Sequence, residues 1–275
     1  MFDKEAVKEI ARSESISAAT KAIRTEVDGV LALPEDFKLH NVEQYFNYRR
    51  RARGTMATTS IEDFAVYTKQ HIDEAPGHIF VDPSEMAATA ILNMGSTSQP
   101  GHTDNRAKLT LKRTAAYQAL MAVSGSQLPQ DRAAEFLEDW TANISCVNEN
   151  GAIATKHAVA AIRKITIESS AKVESAVNQL SASKSAFEAI AASSKDPIPQ
   201  EIDFVCQPYH GLPDRTFSLR LSVVTGAKPL IVLRLIKQEQ HEEEMANEFA
   251  ELVRNSFADD QSKALVMIGT YKPNP

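Results

Sequence analysis

The sequence predicts an α+β protein: N-terminal helices with a small mixed sheet, then a C-terminal antiparallel sheet covered by an amphipathic helix. Three observations predict it. In TFSLRLSVV, Phe217, Leu219, Leu221 and Val223 alternate with polar residues, which is the pattern of a strand with one wet face. In EEEMANEFAELVRNSF, Met245, Phe249, Leu252, Val253 and Phe257 share a helical face. Short β-type segments separated by turn formers follow residue 77.

The elements follow in order. Ile16, Ala19, Ile23, Val27 and Val30 recur at the spacing of a helix face, and Pro34 ends that helix. A second, shorter helix around IEDFAVYTKQHI takes Ser60 as its N-cap. Strands are expected at 78–81, 86–94 and 108–114, forming the small sheet. Ala133, Phe136, Leu137 and Trp140 then mark a short amphipathic helix. HAVAAIRKI reads as helix and SKSAFEAIAASS as another, while ITIESSAKV between them reads as strand or as part of one continuous helix. The strand TFSLRLSVV turns into PLIVLRLI as a hairpin, and ALVMIGTY supplies a last strand beside them. The expected organisation is an N-terminal α+β part over 1–150 and a C-terminal α+β part over 151–275, or one continuous domain.

Composition narrows the class. The 275 residues carry a net charge of −6, which argues against a surface that is a nucleic-acid footprint throughout. Two cysteines, Cys146 and Cys206, form no CxxC pair and fit a reduced, cytoplasmic protein. No apolar run approaches the roughly 20 residues that span a bilayer, so no membrane partner is expected. The start, MFDKEAVKEIARSES, mixes both charge signs without an apolar stretch, unlike a signal peptide.

Three constellations are candidates for chemistry. Tyr45, Phe46, Tyr48, Arg49, Arg50, Arg51 and Arg53 form the one dense basic cluster. Rings beside guanidinium groups suit single-stranded nucleic acid, where bases stack and phosphates are neutralised. The preferred alternative pairs these arginines with Glu242 to Glu244 of the same or a neighbouring subunit. His102, Asp104 and Arg106 lie in a loop between strands, and His210, Asp214 and Arg215 lie in a second loop of similar order. Were the loops to meet, their side chains would suit a phosphate or a divalent ion. The plainer alternatives pair Asp104 with Arg106 and leave Arg215 solvated. HEEEM lacks the second histidine of a zinc-protease helix, and no Walker loop, GxGxxG or GxSxG is present. No cofactor and no metal is assigned, and both cysteines are expected to be packing residues.

LPEDFKLHNVEQY with RRRARGTM, AILNMGSTSQPGHTDNRAKLTL, AAEFLEDW, SASKSAFEAI and PYHGLPDRTFSLRLSVVTG resemble the YfdQ-like family of bacteriophage and prophage proteins, a domain of unknown function. The resemblance runs over nearly the whole chain. It implies a phage or prophage protein in the bacterial cytoplasm, encoded near recombination and replication functions, and it carries no catalytic residue. Asn105 stands where relatives carry a second histidine. The function expected is an accessory protein that self-assembles as a homo-oligomer and binds a phage or host protein. The alternatives are a single-stranded nucleic-acid binder and a metal- or phosphate-dependent hydrolase built on the His102/Asp104 loop.

Overall fold

A computed structural model describes residues 3–24, 43–72, 77–148, 151–165, 197–224, 229–258 and 264–272. The chain forms two compact units, Met1–Ala52 and Arg53–Pro275. The expected boundary near 150 lies within the second of these units. It falls between β6 (Ile144–Asn148) and β7 (Gly151–Ile153), which pair as a hairpin and cannot be parted into separate domains.

The first unit holds α1 (Lys4–Arg24) and a 3-10 turn, Glu43–Tyr45. The helix starts a good three turns before Ile16, because KEAVKEIAR is rich in strong helix formers that carry no apolar stripe. Val7, Ile10 and Ile16 are exposed on it. The expected continuation through Val27 and Val30 to Pro34 lies outside the described residues.

In the second unit a five-stranded mixed sheet runs in the order β1-β4-β3-β2-β11. Its strands are β1 (Gly54–Thr58), β2 (Gly77–Asp82), β3 (Ala87–Ile91), β4 (Asn105–Thr110) and β11 (Ala264–Ile268). The two outermost pairings are parallel and the inner ones antiparallel. α2 (Ile61–His71) begins as expected at Ser60, whose Oγ accepts from Asp63 N at 3.1 Å. β4 starts earlier than expected and stops at Thr110, since Thr114 caps a helix that the periodicity did not flag, α3 (Ala115–Val123). The last strand is also relocated: β11 pairs with β2 in the first sheet and does not extend the C-terminal one.

The second sheet is antiparallel throughout, in the order β5-β10-β9-β8-β6-β7. β5 (Gln127–Pro129), β8 (Glu201–Cys206), β9 (Arg215–Val224) and β10 (Leu230–Leu235) complete it. Register places Phe217, Leu219, Leu221 and Val223 on one face with Ile202 and Phe204 of β8 and Ile231, Leu233 and Leu235 of β10, all buried. α3, α4 (Gln130–Asp139) and α5 (Thr155–Arg163) cover that face: Phe136 stacks on Phe204 at 5.7 Å, and Tyr117 meets Phe217 at 5.2 Å. Gln130 Nε2 donates to the carbonyls of Ile162 and Ile165 at 2.8 and 2.7 Å, closing the end of α5 from the start of α4.

The long amphipathic helix, α6 (Gln238–Ser256), was expected over the C-terminal sheet. It packs instead on α2, β2 and β11, burying Met245, Phe249, Ala250 and Val253, while its N-terminal half meets β9 through His241, Glu244 and Glu248. The strand-or-helix question over ITIESSAKV and SKSAFEAIAASS lies outside the described residues.

The two faces of β9 predict opposite mutational costs. Phe217→Ala is expected to cost about 3–5 kcal/mol in urea unfolding, through lost burial and a cavity. Thr216→Ala, on the exposed face, is expected to stay within about 0.5 kcal/mol. Equal costs would contradict the assignment of faces.

Candidate binding sites

In the first unit the segment 43–51 is a closed loop. Phe46 N donates to the Glu43 backbone carbonyl at 3.1 Å, and Arg50 N donates to the Glu43 carboxylate at 3.2 Å, so one residue holds the loop through its carbonyl and its side chain. The described residues of this unit include no buried side chain to draw the rings inward. Tyr45, Phe46 and Tyr48 are consequently 78%, 54% and 82% exposed. Large aromatics normally bury most of their surface, so three exposed within four positions form an unusual exposed aromatic patch. Arg49 and Arg50 are exposed beside them, and among the described residues their guanidinium groups have no carboxylate partner. Arg51 is half-buried, and Arg53 opens the second unit immediately before β1.

The His102 loop is rigid for reasons of backbone. Asn93 donates from Nδ2 to Asp104 at 2.9 Å and accepts from Asn105 N at 3.0 Å. Gly101 N donates to Met94 O at 2.8 Å, and a Cβ on Gly101 would lie 1.9 Å from the Asn93 carbonyl oxygen, so only glycine fits. Arg106 Nε donates to Thr103 O at 2.5 Å. Asp104 thus engages Asn93 and Arg106 a carbonyl, in place of the expected Asp104–Arg106 pair. His102 is exposed on the surface of this loop.

The second loop sits elsewhere. His210 N donates to Lys112 O at 3.1 Å, past the C-terminal end of β4, whereas His102 precedes its N-terminal end. Six strand residues span about 20 Å, so the two loops do not converge within the chain. His210 and Gly211 instead line a shallow groove of about 670 Å³ with Ser60, Glu62, Lys69 and Leu252. Asp214 is exposed. Burial, and secondly the charge of Asp214, push the Cys206 thiol up to about 12, and burial pushes Cys146 up to about 11; neither is a ready nucleophile.

Arg215 is not solvated, contrary to expectation. It occupies an inward position of β9, and its guanidinium pairs with Glu244 and Glu248, one turn apart on α6. The same helix face brings His241 against the Phe217 ring at 5.1 Å. His241 Nδ1 and Glu248 Oε2 are buried without a hydrogen bond. Burial, then the Arg215 charge, hold the His241 pKa below its ordinary 6.5. A hydrogen bond from Gln240, then one from Arg215, lower Glu244. Nearby, Arg113 Nε donates to the Tyr209 hydroxyl at 3.2 Å and lies over the Tyr117 ring. Burial, then Tyr209, push Tyr117 up to about 12. Neither His241 nor this pairing was legible in the sequence, because β9 and α6 meet only through the tertiary fold.

Among the described residues no group of three His, Cys, Asp or Glu side chains is placed to hold a metal ion, and no helix is long and apolar enough to cross a membrane. Residues 3–271 match the family described as an uncharacterized conserved protein (DUF2303), and the chain belongs to that family. No curated protein and no solved structure matches the chain.

The His241 environment predicts the acid limb of stability. A group whose folded pKa is depressed stabilises fully above its unfolded value and loses that contribution as pH falls. The melting temperature is therefore expected to decline as pH drops below about 6.5, with Glu244 adding a further decline at lower pH. His241→Phe is expected to flatten the first part of the decline. A wild-type curve flat from pH 7 to the Glu244 region would contradict this placement.

Proposed function

We propose that this member of DUF2303 is a non-catalytic binding protein that holds single-stranded nucleic acid on its 43–51 loop. One observation carries the proposal: Tyr45, Phe46 and Tyr48 stand exposed beside two guanidinium groups, Arg49 and Arg50, that have no carboxylate partner among the described residues. Bases stack on exposed rings without regard to sequence, and arginines neutralise the phosphates between them. Internal pairing with the start of α6 has less support, since Glu244 is held by Arg215 and Glu242 accepts from Gln238 at 2.9 Å. The hydrolase alternative has less still, with its two loops at opposite ends of β4.

The resemblance to YfdQ-like proteins supports a wider setting: a phage or prophage accessory protein of the bacterial cytoplasm, serving recombination or replication. In that setting transient single strands are abundant, and a binder needs no catalytic group. The net charge of −6 fits a contact confined to one loop, with the remaining surface repelling the polyanion.

Fluorescence anisotropy with a labelled single-stranded oligonucleotide tests the proposal. Tyr48→Ala is expected to weaken binding by about 1–3 kcal/mol, the worth of one stacked base. The double change Arg49→Ala with Arg50→Ala is expected to reduce the slope of log affinity against log salt by about 1.4, at about 0.7 per lost phosphate contact. No binding at low salt, or binding indifferent to all three changes, overturns it.

A further inference from the structure

The second sheet has a face that no described helix covers. Opposite the buried residues, register aligns Val147 of β6, Glu201 of β8, Arg220 of β9 and Arg234 of β10 in one row across the strands. The adjacent row holds Ser145, Asp203 and Ser218, and beyond the first lie Ser222 and Val232. Glu201, Arg220 and Arg234 are exposed, and so are Val147, Val205 and Val224.

Two features are unusual for a face that merely meets water. Arg220 and Arg234 lie directly opposite each other, an arrangement of like charges that weakens a strand pair. Only Arg220 has a carboxylate nearby, Glu201 at 3.8 Å, and among the described residues Arg234 has none. The carboxylates Glu201 and Asp203 are confined to β8 and the guanidinium groups to β9 and β10. The face is thus electrically divided, with two negative groups on one side and two positive on the other.

From this we infer that the open face of the second sheet is the contact between two copies of the chain. A twofold axis along the strands, between β8 and β9, sets Glu201 of each copy over Arg220 of the other, with Arg234 of β10 over the β6 edge at Val147. Such a self-complementary patch is what a twofold contact requires. Zero net charge on the face removes long-range repulsion between copies and gives a polyanion nothing to hold. Ser145, Ser218 and Ser222 are small enough for two sheets to approach to about 10 Å, the spacing of a packed β-sandwich. β9 runs ten residues but β5 and β7 only three each, so the face is roughly 540 Å² per copy, about 1,100 Å² for the pair, at the small end of specific interfaces. This inference is independent of the nucleic-acid proposal, which rests on the first unit, and either can fail alone.

Light scattering on the eluting full-length chain gives the test. The wild type is expected to run as a dimer at micromolar concentration. Arg220→Glu with Arg234→Glu, and separately Glu201→Arg with Asp203→Arg, are each expected to give monomers with unchanged circular dichroism. Mixing the two variants is expected to restore a dimer, because the reversed faces complement each other. Val205→Arg, a single change at an exposed position, provides a milder disruption that keeps the test decisive if a double variant misfolds; it is expected to give a monomer. A monomeric wild type, a dimer that survives the changes, or monomers that stay apart on mixing overturns the inference.

Discussion

β9 alternates inward and outward over ten residues, and the second unit takes its arrangement from that strict period of two. Its inward residues, Phe217, Leu219, Leu221 and Val223, set the register of β8 and β10 and supply the floor on which α3 and α4 pack. A slip of one residue would bury Arg220 and expose Phe217, so the pairing tolerates no alternative. Arg215 occupies the first inward position, beyond the apolar stripe, and there it can meet the glutamates of α6. The outward residues of the same strand form the centre of the open face. Core, half-buried ion pair and proposed dimer contact are three consequences of one pattern.

The half-buried pair shows why the N-terminal half of α6 is held where it is. Two carboxylates one helical turn apart share one guanidinium, while His241 on the same side fills the space against Phe217. Removing Arg215 would leave two carboxylates facing a ring and a desolvated imidazole, which is costly in a partly buried site. Because α6 also packs on β2 and β11, this junction ties the first sheet to the second through a single helix. Its buried imidazole, His241, whose Nδ1 has no partner, fits a structural joint sensitive to acid.

Local patterns are legible in the sequence and distant pairings are not. The Ser60 cap, the strands β2, β3, β9 and β10, and the helix α6 follow from spacing alone, since each repeats its period over enough residues to stand out. EIDFVC and ISCVN alternate over only five or six residues, too short to separate β8 and β6 from loop. AAYQALMAV, being apolar nearly all round, gave α3 no clear stripe. The position of β11 next to β2 depends on a contact across most of the unit, which no local pattern encodes. Of the candidate residues, the aromatic and arginine cluster was visible as composition. That its rings stand outside any core, and that Arg215 does not stay in water, emerged only from the fold.

The exposed rings of the first unit are the proposed nucleic-acid contact. Ultraviolet crosslinking of the full chain to a thymine-rich single strand, followed by peptide mass spectrometry, tests it most directly. Adducts concentrated on Tyr45, Phe46 and Tyr48 are the predicted result. Adducts confined to the second unit, or none at low salt, would contradict it.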